Sequence, residues 1–150
     1  MTSLAVEQVS ATDQPFRDTL AEAGLPIDDL AEDGREFLRF GLNGETVGYV
    51  GLELCGSDVL VRSVVVCQHA RGLGIGKLIV GSLLRRARSE WHAQHAYLLT
   101  TTAAPFFASL GFISMACDKA PAAIQSTREA SDLCPSTASF LTISLEDDQP

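Results

Sequence analysis

The segment Arg71-Gly72-Leu73-Gly74-Ile75-Gly76-Lys77 constrains this chain more than any other. It follows a valine-rich run, Val59 to Val66, and opens an amphipathic run, Ile75 to Arg88. Three alternating glycines give the backbone conformations closed to other residues and let it pass close to a ligand. They leave several N–H groups pointing into one concavity, and a helix N-terminus behind them adds a partial positive charge. Arg71 and Lys77 add full charges. A strand, a glycine loop and a helix in this order make a site for a phosphorylated cofactor; the bland alternative is a glycine turn that holds nothing.

The charge pattern agrees. The net charge is −8, which argues against nucleic acid and anionic membrane surfaces as partners. Yet Arg62, Arg71, Lys77, Arg85, Arg86 and Arg88 fall between Val59 and Ser89, a window without one acid. A local anion site explains the first three. The last three suit the negative end of a helix dipole. A chain of 150 residues fits one domain burying roughly 70% of its unfolded surface. No apolar run reaches the ~18–20 residues of a membrane helix, and Met1–Ala11 lacks the marks of a secretion signal, so the cytoplasm is the expected compartment. Cys55, Cys67, Cys117 and Cys134 form no C-x-x-C pair. No metal site is expected, and most of these thiols are read as small core residues rather than disulfides.

Periodicity and turn chemistry give the element order. Leu4–Val9 reads as a strand. Thr12 or Asp13 caps a helix to about Ala23, stopped by Gly24. Pro26–Asp33 is a short helix or turn. Glu36–Leu42 and Glu45–Leu54 are strands joined by Asn43-Gly44, a strong hairpin signal. Cys55–Asp58 turns the chain into Val59–Val66. After the helix Ile75–Arg88 come a strand Ala96–Thr101, a short helix Ala103–Leu110 ended by Gly111, and a strand Phe112–Ala116. A loop-and-helix region, Pro121–Pro135, precedes a last strand, Ser139–Leu145, and an acidic tail. Hairpins followed by alternating helices and strands predict an α/β fold with a mixed sheet and helices on both faces.

The glycine loop fits neither common nucleotide motif. A P-loop would need glycine at position 71, which is Arg71, and Ser or Thr at 78, which is Leu78. A Rossmann loop would need glycine at 77, which is Lys77. R-G-x-G-x-G between strand and helix resembles the acetyl-CoA pyrophosphate loop of the GCN5-related N-acetyltransferases. Phe106-Phe107-Ala108-Ser109-Leu110-Gly111-Phe112 resembles a second motif of that superfamily, F-Y-x-x-x-G-F. A narrower resemblance, to the arsenic-resistance N-acetyltransferases, is carried by Pro26–Leu30, Leu60–Ser63, Tyr97–Ala103, Phe106-Phe107, and Thr127–Glu129 through Leu133–Pro135.

The resemblance implies a single domain with a mostly antiparallel sheet of about seven strands, splayed beside the cofactor at Val66 and Ala96. It implies acetyl-CoA as co-substrate and direct attack by an amine in a ternary complex. The backbone of Val64, Val65 and Val66 would pair with the pantetheine arm, and one of their N–H groups would polarise the thioester carbonyl. Arg71, Gly72, Leu73, Gly74, Ile75, Gly76 and Lys77 would hold the pyrophosphate. Thr100 stands where many relatives carry Asn beside the cofactor. Phe107 stands where many carry a tyrosine acid, so that route to the leaving thiolate is absent; Ser109, a threonine or water is the substitute, or none is needed, since a thiol with pKa ~8.5 leaves readily. Dimers are common in the superfamily, and a homodimer is expected by analogy.

Register arithmetic supplies a substrate face. If Leu54 pairs with Val59, Gly51 faces Arg62, so Tyr49, Glu53 and Arg62 share one side of the sheet. Glu53 is then a candidate base and Arg62 a candidate for a substrate carboxylate; the alternative is that the two pair with each other. Arg128 is a further candidate anion binder in a polar segment. The leading reading is acetyl transfer to the primary amine of a small amino-acid-like molecule, such as an organoarsenical or phosphinothricin-like compound. A protein N-acetyltransferase and a non-catalytic acyl-CoA-binding or arsenic-sensing module are the rivals.

Overall fold

The computed structural model describes residues 4–25, 27, 30–31, 34–72, 74–100, 103–125, 127 and 139–145. Seven strands form one sheet: β1 (Ala5–Val9), β2 (Arg35–Leu42), β3 (Glu45–Cys55), β4 (Asp58–Val66), β5 (His95–Thr100), β6 (Ile113–Ser114) and β7 (Ser139–Ser144), in the order β1-β2-β3-β4-β5-β7-β6. Among the described residues, four helices accompany them: α1 (Gln14–Glu22), α2 (Ile75–Trp91), α3 (Ala104–Ser109) and α4 (Ala122–Gln125). β4 pairs with β5 in parallel, whereas β1 with β2, β2 with β3, β5 with β7 and β6 with β7 are antiparallel. The chain divides into two compact units, residues 1–53 with 61–85, and residues 54–60 with 86–150.

In the first unit, Asp13 caps α1, its Oδ2 accepting from the Phe16 N–H at 3.0 Å. Gly24, with φ of 75°, closes the helix, and the Leu25 N–H bonds back to the Leu20 carbonyl. Asn43 and Gly44 both have positive φ, the geometry of a two-residue hairpin turn. The pairing of β2 with β3 slips by one residue between Phe40 and Gly41. Alternation then sorts the residues of β3. Tyr49 joins Phe16, Leu20, Leu30, Phe37 and Val65 in a buried cluster under α1. Gly48 points the other way, toward Ile79 of α2. Helices therefore cover both faces of this part of the sheet, as the mixed-sheet reading requires.

In the second unit, Cys55, Leu60, Tyr97, Leu99, Ala120, Ile124 and Phe140 form a separate core, with Tyr97 and Phe140 stacked at 5.6 Å. Gly111, at φ of 106°, ends α3 as expected. The predicted strand Phe112–Ala116 is reduced to two paired residues. Phe112 is instead buried against the edge of the Phe107 ring. Cys117 is disulfide-bonded, where disulfides were not expected, whereas Cys55 is a free thiol buried in this core and Cys67 a free thiol of intermediate exposure. Most of Pro26–Asp33 and of Pro121–Pro135, Cys134 included, lies outside the described residues. No described helix is long and apolar enough to cross a membrane, and no described group of three potential ligands gathers for a metal.

Candidate active site

β4 carries the candidate site residues, and its backbone is irregular. Ser63 has a φ of 56°, and among the described residues it is the one non-glycine left-handed residue inside a strand. Such a conformation costs roughly 1–3 kcal/mol. The register explains it. A Cβ added at Gly51 would lie 3.4 Å from Arg62 Cγ, so these residues face each other as the sequence arithmetic required. Strict pairing from there would set Val47 against Val66. Instead, the Cys67 N–H donates to the Val47 carbonyl at 2.8 Å, one residue further on. β4 therefore holds an extra residue, a bulge at Ser63, and a bulge leaves backbone groups outside the ladder.

Beside the bulge lies a charged cluster that the sequence disclosed only in part. Arg62 Nη1 approaches Glu53 Oε1 at 3.9 Å, so these two pair with each other. Arg35, at the start of β2, pairs more closely, with Nε and Nη2 both 3.3 Å from the same oxygen. The side chains of Arg35 and Arg62 are 3% and 2% exposed, and that of Glu53 is 14% exposed, so the carboxylate is the most open member. Arg62 Nε also donates to Ser63 Oγ at 3.4 Å. Tyr49 shares this face as expected but is a core residue, its ring 5.1 Å from that of Phe16. Burial, and after it the charge of Asp13, raises its phenol above the ordinary value.

The loop after β4 follows the glycine reading. Gln68–Ala70 makes one 3-10 turn, and Arg71 Nε donates back to the Val66 carbonyl at 3.1 Å. Gly72 and Gly74 have φ of 82° and 76°, and a Cβ at either would meet nothing within 4 Å. Glycine is needed there for backbone conformation, and the loop surface is open to a ligand. Ile75 then buries itself as α2 begins, while Lys77 stays exposed. Gly48 presses α2 close: a Cβ there would lie 2.5 Å from Ile79 Cδ1 and 2.6 Å from the Val65 carbonyl oxygen. This open loop at a helix N-terminus of 17 residues, flanked by two cations, fits a pyrophosphate. Cys67 lies at its start, its thiol pushed up by burial against the opposing charge of Arg71. His69 stands 3.5 Å from Glu45 at the surface.

In the second unit, Thr100 Oγ1 accepts the Ala103 N–H at 2.9 Å and so supports the start of α3. Phe107 is buried, edge-on to Phe106 and Phe112, with no proton to give. The Ser109 hydroxyl donates to the Phe106 carbonyl at 2.5 Å, a helix-internal task. Leu73 and Arg128 lie outside the described residues.

The acetyltransferase (GNAT) domain family matches residues 31–114, more than half of the chain. This protein belongs to that family. Solved structures agree on the fold. N-acetylglutamate synthase from Neisseria gonorrhoeae, complexed with coenzyme A and N-acetyl-glutamate, superposes with a TM-score of 0.76 at 18% identity over 98% of this chain. The chain spans 36% of the length of that synthase. A GNAT-family acetyltransferase from Staphylococcus aureus Mu50 gives 0.70 at 18% identity, covering 96% of this chain and 100% of the other. Rv2747 from Mycobacterium tuberculosis, in complex with CoA and NLQ, gives 0.71 at 23% identity, covering 93% and 98%. The expected acyltransferase fold and superfamily thus stand; the arsenic-resistance subgroup is a finer resemblance that these matches do not reach.

Proposed function

We propose that this GNAT domain binds acetyl-CoA along β4 and transfers the acetyl group to the primary amine of a small, amino-acid-like acceptor, by direct attack within a ternary complex. The observation that carries this reading is the pair of left-handed glycines, Gly72 and Gly74, opening onto the N-terminus of α2 beside Arg71 and Lys77. The free backbone N–H groups of a helix start, its dipole and two cations suit the doubly charged pyrophosphate. Val64–Val66 then offer strand edges to the pantetheine amides, and the bulge at Ser63 supplies backbone N–H groups to polarise the thioester carbonyl.

The charge pattern beside the bulge favours an acceptor bearing both signs. Glu53 is the open member and suits the ammonium group, from which it takes a proton directly or through water. Arg62 and Arg35 behind it favour a nearby substrate carboxylate through their field, with Arg128 as a further anion contact. Free amino acids, phosphinothricin-like compounds and amine-bearing organoarsenicals share this chemistry, the last two following from the arsenic-resistance resemblance.

The test is calorimetric CoA binding together with thiol release from acetyl-CoA across a panel of L-glutamate, L-glutamine, L-aspartate, phosphinothricin and spermidine. CoA binding that weakens about tenfold or more in Arg71→Ala is expected, from the loss of one charge-assisted hydrogen bond. Turnover with an amino acid but not with the polyamine is expected as well. Absence of CoA binding would overturn the reading, and binding without turnover would leave an acyl-CoA-binding module.

A further inference from the structure

The Ser63 hydroxyl takes no part in the reading above, yet three observations converge on it. It sits at the bulge, in a backbone conformation that glycine would adopt with least strain. Its Oγ accepts from Nε of Arg62, a buried cation that is itself held by Glu53. A hydroxyl that accepts from a cation becomes a better donor through its own proton. Among the described residues, two further hydroxyls of the motif regions are engaged: Ser109 donates to the Phe106 carbonyl, and Thr100 accepts from Ala103. Phe107 has none.

We infer that the Ser63 hydroxyl donates a hydrogen bond to the thioester sulfur of acetyl-CoA and stabilises the thiolate as it leaves. The inference rests on the cofactor reading of β4. If the pantetheine amides pair along Val64–Val66 and the pyrophosphate lies at Arg71–Lys77, the thioester end points back toward residue 63. Two methylene groups separate the last pantetheine amide from sulfur, about the 3.3 Å rise of one strand residue, which sets the sulfur beside Ser63. During transfer the amine nitrogen bonds to the carbonyl carbon, the C–S bond breaks, and the electron pair departs on sulfur. Ser63 keeps its proton and lends a hydrogen bond to that charge. The amine proton goes to Glu53 or water, and solvent protonates the thiolate afterwards. Ser63 is thus a catalytic residue that stabilises the leaving thiolate.

The test needs no acceptor. The thiol of enzyme-bound CoA is titrated by its thiolate absorbance in the unmodified protein, in Ser63→Ala and in Ser63→Gly, with CoA affinity measured by calorimetry. The unmodified protein is expected to lower the bound thiol pKa by about one unit relative to free CoA, the scale of one charge-assisted hydrogen bond. Both variants are expected to restore the free value while CoA affinity stays within about threefold. Ser63→Gly relaxes the backbone, so it remains informative should Ser63→Ala fold poorly. A bound thiol that is not lowered, a lowered pKa that survives both substitutions, or an affinity loss without a pKa change would each overturn the assignment to Ser63. Failure of the unmodified protein to bind CoA would instead overturn the cofactor reading on which it rests.

Discussion

Replacing Gly48 by alanine tests how tightly α2 and the site strand are held together. The added Cβ would stand 2.5 Å from Ile79 Cδ1 and 2.6 Å from the Val65 carbonyl oxygen, where ordinary contact begins near 3.4 Å. The Ile79 terminus can rotate away. The carbonyl cannot, because it belongs to the backbone of β4, two residues past the bulge. The backbone must therefore yield by about 0.8 Å, the difference between 3.4 and 2.6 Å. Overpacking of this kind costs about 1–3 kcal/mol. For a chain of this length that lowers Tm by about 2–4 °C per kcal/mol, read by thermal denaturation. Val65 and α2 both border the proposed cofactor loop, so CoA affinity should fall in the same variant. Gly81→Ala is the control of opposite sign. Its Cβ would meet only the flexible end of Arg85 at 3.6 Å, and alanine in a helix interior gains up to about 1 kcal/mol over glycine. A Gly48→Ala melting temperature equal to that of the unmodified protein would refute the reasoning, since it would mean the close approach is not there.

Two further perturbations follow from the buried charges and phenols. Arg35→Met removes the closer partner of Glu53 and should destabilise by about 3 kcal/mol, the scale of breaking one side of a buried ion pair, measured by urea denaturation; a loss below about 1 kcal/mol would mean the pair is effectively solvated. Burial raises the Tyr49 and Tyr97 phenols above the ordinary value of 10.0. The unfolded chain then ionises first, so stability is unaffected below that value and declines as pH rises above it. Tyr49→Phe should flatten part of that alkaline decline, and an unchanged slope between pH 10 and 11 would contradict the burial account.

Much of the site was legible because its determinants are local. Glycine alone tolerates the φ of 82° and 76° at positions 72 and 74, so the loop announces itself wherever the chain places it. Asn43-Gly44, the Asp13 cap and the Gly24 and Gly111 stops act within a few residues, and each appears where the sequence put it. The Gly51–Arg62 opposition also followed, because pairing Leu54 with Val59 across the tight Cys55–Asp58 connection sets the register beyond it.

Arg35 and Ser63 were missed for one physical reason: each depends on a one-residue slip that no local rule dictates. Counting from the Leu42–Glu45 pair, strict alternation sets Arg35 against Leu52, on the wrong face. The irregularity at Phe40/Gly41 moves it against Glu53 and creates the second arginine of the cluster. The bulge at Ser63 likewise shifts the Val47 partner from Val66 to Cys67. The adjacent polar pair Arg62-Ser63 inside an apolar run was the only trace of it. Sequence alone therefore determined most of the elements and the glycine geometry of the loop, through φ preferences and periodicity that act over a few residues, while the family was legible as a resemblance carried by two motifs. The tertiary structure decided which charges meet beside the bulge, because a single inserted residue in a strand reverses every side chain beyond it, and packing against α1 and α2 selects where that residue goes.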